Sequence, residues 1–330
     1  MQRGNPYSMR KRRFWEARFT MANFISRDRQ IQVLRMLVEG SSIRSTERYT
    51  GTHRDTIMRL LVRFGNACEE FHDLALANVS VEHVQCDEIW TFVKKKEARL
   101  DKKEKRSGRL GDMYLFTALD TDTKLMVSYL LGRRTAETTE TFIRDLESRM
   151  VRPPMDAGEF SPQISTDGFT PYQSTIREAF GETARHGVLV KNYVNPEVGR
   201  YAPPDMVNSN RTNIRGIRDL WSIVTSHVER HNLTIRTFMK RFTRLALGFS
   251  KKVENLAAAT SLHVAFYNFC WRPRHHEGGH RLTPAMAAGV VDELWSIERL
   301  YDEVMELRTS RQRAERNRRL VERLRGEGKQ

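Results

Sequence analysis

From Val81 to Val93 the chain runs VEHVQCDEIWTFV, a stretch dense in strand formers with two neighbouring carboxylates at its centre. Residues of this kind favour a pleated strand, and strand alternation turns Asp87 and Glu88 to opposite faces. A carboxylate set among Val84, Cys86, Ile89 and Trp90 is expensive to bury unless it is ligated or hydrogen-bonded. The chain therefore has to build a sheet around a charged group.

Two further strands are expected over 113–119 and 125–131, with Asp120 and Asp122 as turn residues before the second of them. The intervening segment from Lys94 to Gly108, KKKEARLDKKEKRSG, suits a solvated hairpin tip or one laid along phosphates. Next come a helix over 135–150, a short strand over 163–166 ending at Asp167-Gly168, a helix over 171–180 and a strand over 187–194. An irregular stretch is expected over 195–212, leading into a helix that carries Leu220, Trp221, Val224 and Val228. Leu256 to Trp271 is too short and too polar to span a membrane and is expected as a buried helix. Three strands, a helix, a strand, a helix, a strand and a helix define an α/β domain with a mixed sheet.

Upstream, the period is helical. Ile31, Leu34, Leu37 and Val38 share a face closed by Gly40, Ser41 and Ser42 cap a helix from Ile43, and Gly51 turns the chain. Thr52 with Asp55 resembles a capping box opening a third helix. On that helix Ile57, Leu60, Leu61 and Phe64 face the core, which leaves His53, Arg54, Arg59 and Arg63 largely off it, as a helix entering a DNA major groove requires. A plain three-helix bundle with a basic surface has the same pattern. The 330 residues, 39% of them hydrophobic, suffice for one substantial core and a smaller module. Their 56 Lys and Arg against 41 Asp and Glu leave a charge of +15, which suits a polyanionic partner such as nucleic acid.

No apolar run follows the basic residues Arg10 to Arg13, so a secretory signal is not expected. Cys68, Cys86 and Cys270 offer neither a disulfide framework nor a Cys-x-x-Cys pair. The expected setting is cytoplasmic and nucleoid-associated, with no membrane partner.

The motif HVERH at His227 to His231 poses a choice between zinc and carboxylate chemistry. On a helix the two histidines share a face, as zinc ligands do. Glu229, two residues after His227, is turned about 200° away from it, and no third ligand is apparent. Zinc is therefore disfavoured, and the histidines are expected at the surface or against phosphate. Glu229 instead has company in Asp87, mid-strand, and Asp167, at a strand end where α/β sheets gather ligand sites. A cluster of carboxylates without cysteine suits magnesium, or manganese. Two such ions roughly 4 Å apart activate an attacking oxygen and stabilise a leaving one in phosphodiester cleavage. Any chain with 41 acidic residues offers many such triples, and Glu88 is a rival on the same strand.

The stretch HVERHNLTIRTFMKRFTRLALGFSKKVENLAAATSLHVAFYNFC, the later RLTPAMAAG, and QCDEIWTFV and STDGFTPY around Asp87 and Asp167 resemble the DDE transposases of the insertion-sequence-one family, from about Phe24 to Gly289. The resemblance implies an RNase H-like mixed sheet with flanking helices, preceded by a small all-α helix-turn-helix domain. It implies Asp87, Asp167 and Glu229 as the metal-binding catalytic triad, magnesium or manganese as cofactor, and DNA contacts from His227 and Arg230. Lys251 and Lys252, near the start of a post-catalytic helix, would touch the ends of the element, an exposed helix start being the plain alternative. The domains then run 1–23 (basic extension), 24–75 (helix-turn-helix), 79–272 (catalytic) and 273–330 (linker and basic helical tail). The implied function is that of a bacterial insertion-sequence transposase, a homodimer or larger assembly that binds terminal inverted repeats, cuts DNA and joins 3' ends to target DNA. A catalytically inactive repressor or remnant and a nuclease without strand transfer are the alternatives. The cysteine zinc ribbon that some family members carry before the helix-turn-helix is absent from this chain, and the link WRPRHHEGGH from Trp271 to His280 is longer and richer in histidine than usual.

Overall fold

The computed structural model describes residues 25–151, 162–194, 205–244, 246–273 and 281–327, with side chains of the last helix described to residue 312. The N-terminal extension, most of the link after Trp271 and the arginine side chains beyond Arg311 lie outside what is described.

Three helices open the chain: α1 (Arg27–Val38), α2 (Ile43–Thr50) and α3 (Arg54–Ala75). Ser42 caps α2, its hydroxyl accepting the Ser45 N–H at 3.0 Å, and Gly51 closes it in the left-handed conformation. The cap of α3 differs from the expected Thr52 box. His53 is the capping residue, its Nδ1 accepting the Asp55 N–H at 3.3 Å, while Glu47 accepts the Arg54 N–H at 2.9 Å. Thr52 is buried in the turn and donates its own N–H to Thr50 Oγ1 at 3.2 Å. Ile57, Leu60, Leu61 and Phe64 are all buried, as their spacing requires.

Six strands form one mixed sheet in the order β3-β2-β1-β4-β5-β6: β1 (His83–Val93), β2 (Gly111–Asp120), β3 (Met126–Gly132), β4 (Gln163–Thr166), β5 (Arg185–Val194) and β6 (Asp205–Arg215). The first three are antiparallel, β4 lies parallel to β1 and β5 parallel to β4, and β6 returns antiparallel along β5. The charged tip between β1 and β2 carries the short helix α4 (Lys102–Arg106), where Glu104 accepts Lys95 Nζ at 2.9 Å. The Asp120 carboxylate accepts the N–H of Asp122 and of Thr123, making the turn into β3.

β6 corrects the expectation of an irregular stretch over 205–212, while 195–204 lie outside the described residues. Its residues, DMVNSNRTNIR, are almost all exposed, so no burial pattern marks the strand, and backbone pairing with β5 alone defines it. The following helix also starts later than expected. Leu220 to Ser222 form a single 3-10 turn, and the helix itself, α7, spans Ser226–Phe238.

Between β3 and β4 lies α5 (Ala136–Arg149), and between β4 and β5 lies α6 (Pro171–Phe180). Val84 and Cys86 of β1 pack with Phe142, Tyr172 and Ile176 of these helices. On the other face Ile89 and Val93 pack with Val228 and Ile235 of α7 and Leu256 and Val264 of α8 (Val253–Phe269). Asn268 pins α8 to the β3 edge by bonding both the N–H and the C=O of Met126 at 3.0 Å.

The N-terminal helices are not a separate bead. A Cβ added at Gly65 of α3 would lie 2.2 Å from the Ala258 carbonyl oxygen, so the two helices meet backbone to backbone. After α9 (Pro284–Ala287), helix α10 (Ile297–Glu327) returns to this core, burying Leu300, Tyr301 and Val304, and Tyr301 stacks on Phe64 at 5.4 Å. No helix among the described residues is long and apolar enough to cross a membrane.

Candidate functional site

β4 is only four residues long and pairs with β1 no further than Gln85↔Ser165. Beyond that point β1 has no strand beside it on that side until Val93 bridges Ser250, and Asp87, Glu88 and Asp167 meet around the end of β4. One carboxylate oxygen from each lies within 4.8 Å of the others. Alternation still operates, since Asp87 bonds Asn232 of α7 and Glu88 bonds Arg134 ahead of α5, but the gap left by the short strand lets both reach Asp167.

Asp87 faces α7. Its Oδ2 accepts Asn232 Nδ2 at 2.7 Å. Burial pushes its carboxyl up to about 7, with the charges of Asp167 and Glu229 adding to the shift and Asn232 opposing it. Two residues earlier on the same face of β1, Gln85 Oε1 accepts the N–H groups of His227 and Val228 at 2.9 and 3.0 Å. These are open donors of the first turn of α7, which takes no side-chain cap from its own Thr225. Gln85 and Asp87 thus fix α7 by its start and its middle.

Glu88 faces the opposite way. Its side chain is 2% exposed, and Oε2 accepts Arg134 Nε at 3.1 Å. Arg134 also reaches Asp167 Oδ2 at 3.3 Å and lies 4.1 Å over the Phe169 ring. Glu88 Oε1 is buried without a hydrogen-bond partner; the Tyr172 hydroxyl is near enough to stabilise the ionised form but outside hydrogen-bond geometry. Burial, then the Asp167 charge, pushes the Glu88 carboxyl up to about 7. Asp167 itself is shaped by its turn, Oδ1 accepting the Phe169 N–H at 2.9 Å.

Glu229 lies outside the three-carboxylate group but close enough to raise the pKa of Asp87. Its Oε1 accepts the Thr225 hydroxyl at 2.7 Å and the ammonium of Lys191 from β5. With Asn232 and Arg236, three and seven residues on, it occupies one stripe of α7 turned toward Asp87, and Arg236 is near enough to feel that charge. Asn232, Gln85, Lys191 and Arg134 were not singled out from the sequence. The spacing of Asn232 from Glu229 was a usable signal; the others depend on strand register.

The remaining predicted residues scatter. His53, Arg54 and Arg59 are exposed at the start of α3, whereas Arg63 is half-buried and donates to Gln30 of α1. His227 is exposed beside Lys124, at 3.2 Å, and Arg230 is exposed. Lys251 and Lys252 are exposed ahead of α8, behind Ser250, whose carbonyl accepts the Lys94 N–H at 2.8 Å. His231 departs from the expected surface position. It is 3% exposed, packed on Tyr267 with ring centroids 4.3 Å apart, and burial lowers its pKa to about 3. Its turn from His227 along the helix carries it into the α7–α8 interface.

No family model matches the chain, and no curated protein matches it. Among solved structures, the cryo-EM structure of a piggyBac transposase synaptic complex with hairpin DNA is similar over 87% of this chain and 72% of that chain, with a TM-score of 0.40 and 10% sequence identity. An overlap that loose carries no weight for the chemistry below.

Proposed function

We propose that this protein is a DNA transposase of the DDE type, with an RNase H-like core and a DNA-binding helix-turn-helix formed by α2 and α3. The observation that carries the reading is the meeting of Asp87 from β1 and Asp167 from the end of β4, with Glu229 on a helix that Asn232 ties to Asp87. The strand order β3-β2-β1-β4-β5, three antiparallel and two parallel, supports the core assignment, with β6 added at its edge.

The group formed by Asp87, Glu88 and Asp167 fits a hard divalent cation: carboxylate oxygens, with Glu88 Oε1 buried without a partner, and no thiolate or imidazole, and Glu229 stands beside it. Asp87, Asp167 and Glu229 would hold magnesium or manganese, which when bound activates an attacking oxygen and neutralises charge at the leaving one. The chain's own residues do the positioning. Asn232 keeps Asp87 in one orientation, Gln85 fixes the start of α7, and Lys191 balances Glu229 until that carboxylate is engaged. Transfer of this kind runs on positioning and charge neutralisation, so no Ser, Cys or Lys nucleophile is needed. Arg54, Arg59, Arg230, Lys251 and Lys252 are exposed cations available to phosphates. Holding two DNA ends calls for a homodimer or larger assembly.

The test is cleavage and joining by the full chain with magnesium and a labelled duplex from the DNA flanking its own coding sequence. Metal-dependent joined product, lost in Asp87→Asn, Asp167→Asn and Glu229→Gln while DNA binding persists, is expected. Cutting without joining would make the protein a nuclease, and specific binding without cutting a repressor or remnant.

A further inference from the structure

We propose that Glu88 is itself a cation ligand, completing with Asp87 and Asp167 a site for one divalent ion on the side of β1 away from Glu229. The inference rests on the reading of this centre as a divalent-cation site and adds a fourth carboxylate to it.

Three observations converge. One oxygen from each of Asp87, Glu88 and Asp167 lies within 4.8 Å of the others, and ligands on opposite sides of an ion bound at roughly 2.1–2.4 Å are about that far apart. Glu88 Oε1 is buried with no partner in hydrogen-bond geometry, the nearby Tyr172 hydroxyl being likewise unpartnered, a costly arrangement for an acceptor unless something completes it. The rest of the group is already held by its other atoms. Arg134 takes Glu88 Oε2 and Asp167 Oδ2, Asn232 takes Asp87 Oδ2, and the Phe169 N–H takes Asp167 Oδ1. Arg134, held 4.1 Å over the Phe169 ring, is then a positioning residue that orients two carboxylates while leaving Oε1 open.

The competing account makes Glu88 only the ion-pair partner of Arg134. The two differ in what Arg134 does. As an ion pair, either partner can be removed with like effect; as a ligand, Glu88 controls the ion more strongly than Arg134 does.

Titration of the metal-free full chain with Mn2+, read by the EPR signal of the free ion, separates them without reference to activity. Far-UV circular dichroism monitors the fold. We expect Glu88→Gln and Asp167→Asn each to weaken Mn2+ binding about a hundredfold or more, and Arg134→Gln, which removes only a positioning group, by about tenfold. Undiminished binding in Glu88→Gln, with loss in Asp167→Asn, overturns the role of Glu88 and leaves the cation centre standing. Absence of Mn2+ binding by the native chain overturns the cation centre and Glu88 with it. Should Glu88→Gln fail to fold, Glu88→Asp, which keeps the charge but shortens the reach, decides: native affinity in that variant overturns the proposal.

Discussion

Asn232 Nδ2 donates to Asp87 Oδ2 at 2.7 Å, joining a helix to a strand 145 residues away in the chain. The bond restrains Asp87 and, through one turn of α7, the placement of Glu229. Hydrogen bonds to charged groups contribute about 1.5–3 kcal/mol. Asn232→Ala is therefore expected to slow single-turnover strand cleavage about tenfold to a hundredfold while DNA affinity stays unchanged. Equal rates in the two proteins would remove Asn232 from the positioning scheme.

The acidic group makes the metal-free protein sensitive to pH. Burial raises Glu88 from its ordinary 4.5 to about 7. Because the folded-state pKa lies above the unfolded one, the folded protein holds an extra proton between those values, and stability is lost as pH rises from about 4.5 through about 7. Glu88→Gln, which stays neutral, is expected to gain about 1–2 kcal/mol more stability over the native chain at pH 8 than at pH 5. Chemical denaturation at the two pH values in the presence of a chelator measures the difference. A gain confined to pH 5 would reverse the sign and refute the account.

Gly65 tests the packing of α3 on α8. An added methyl would sit 2.2 Å from the Ala258 carbonyl oxygen, and backbone cannot swing aside as a side chain would. Gly65→Ala is expected to destabilise the fold by about 3 kcal/mol despite its favourable helix propensity. A thermal midpoint at or above the native value would show that the helices part easily.

Nucleic-acid binding offers a separate check on α3. Arg54→Ala and Arg59→Ala are each expected to lower the slope of log affinity against log salt by about one. Arg63→Ala should act chiefly on stability, since its guanidinium bonds Gln30 within the helical core. Binding titrations at several salt concentrations distinguish the three variants.

Much of this was legible in the sequence where a residue's surroundings are local. β4 and α6 fall at the bounds expected from their residues, and Ser42 and Gly51 cap α2 as their types dictate. The order of strands and helices follows from the alternation of periods. β6 was not legible, because exposed Asn, Ser and Arg carry no period and the strand exists through its partner's backbone. His53 displaced Thr52 as a cap because the tight α2–α3 turn buries the threonine. At the site, Asp87 and Asp167 stood out as carboxylates in apolar or strand-end settings. The reach of Glu88 to Asp167 depends on β4 stopping two residues short of it, a fact of register with no signature at Glu88 itself.

The backbone contact at Gly65 bears on measurement of length along DNA. With the backbones of α3 and α8 in contact at Gly65 and their rings packed at Phe71 and Phe269, the basic start of α3 and the carboxylates belong to one stiff frame, and on the proposed reading the protein works as a pair of calipers. A duplex seated on Arg54 and Arg59 would present its scissile bond a fixed count of base pairs away. That count would be set by the dimensions of the fold, and mutations that loosen the α3–α8 contact should blur the position of the cut before they abolish it.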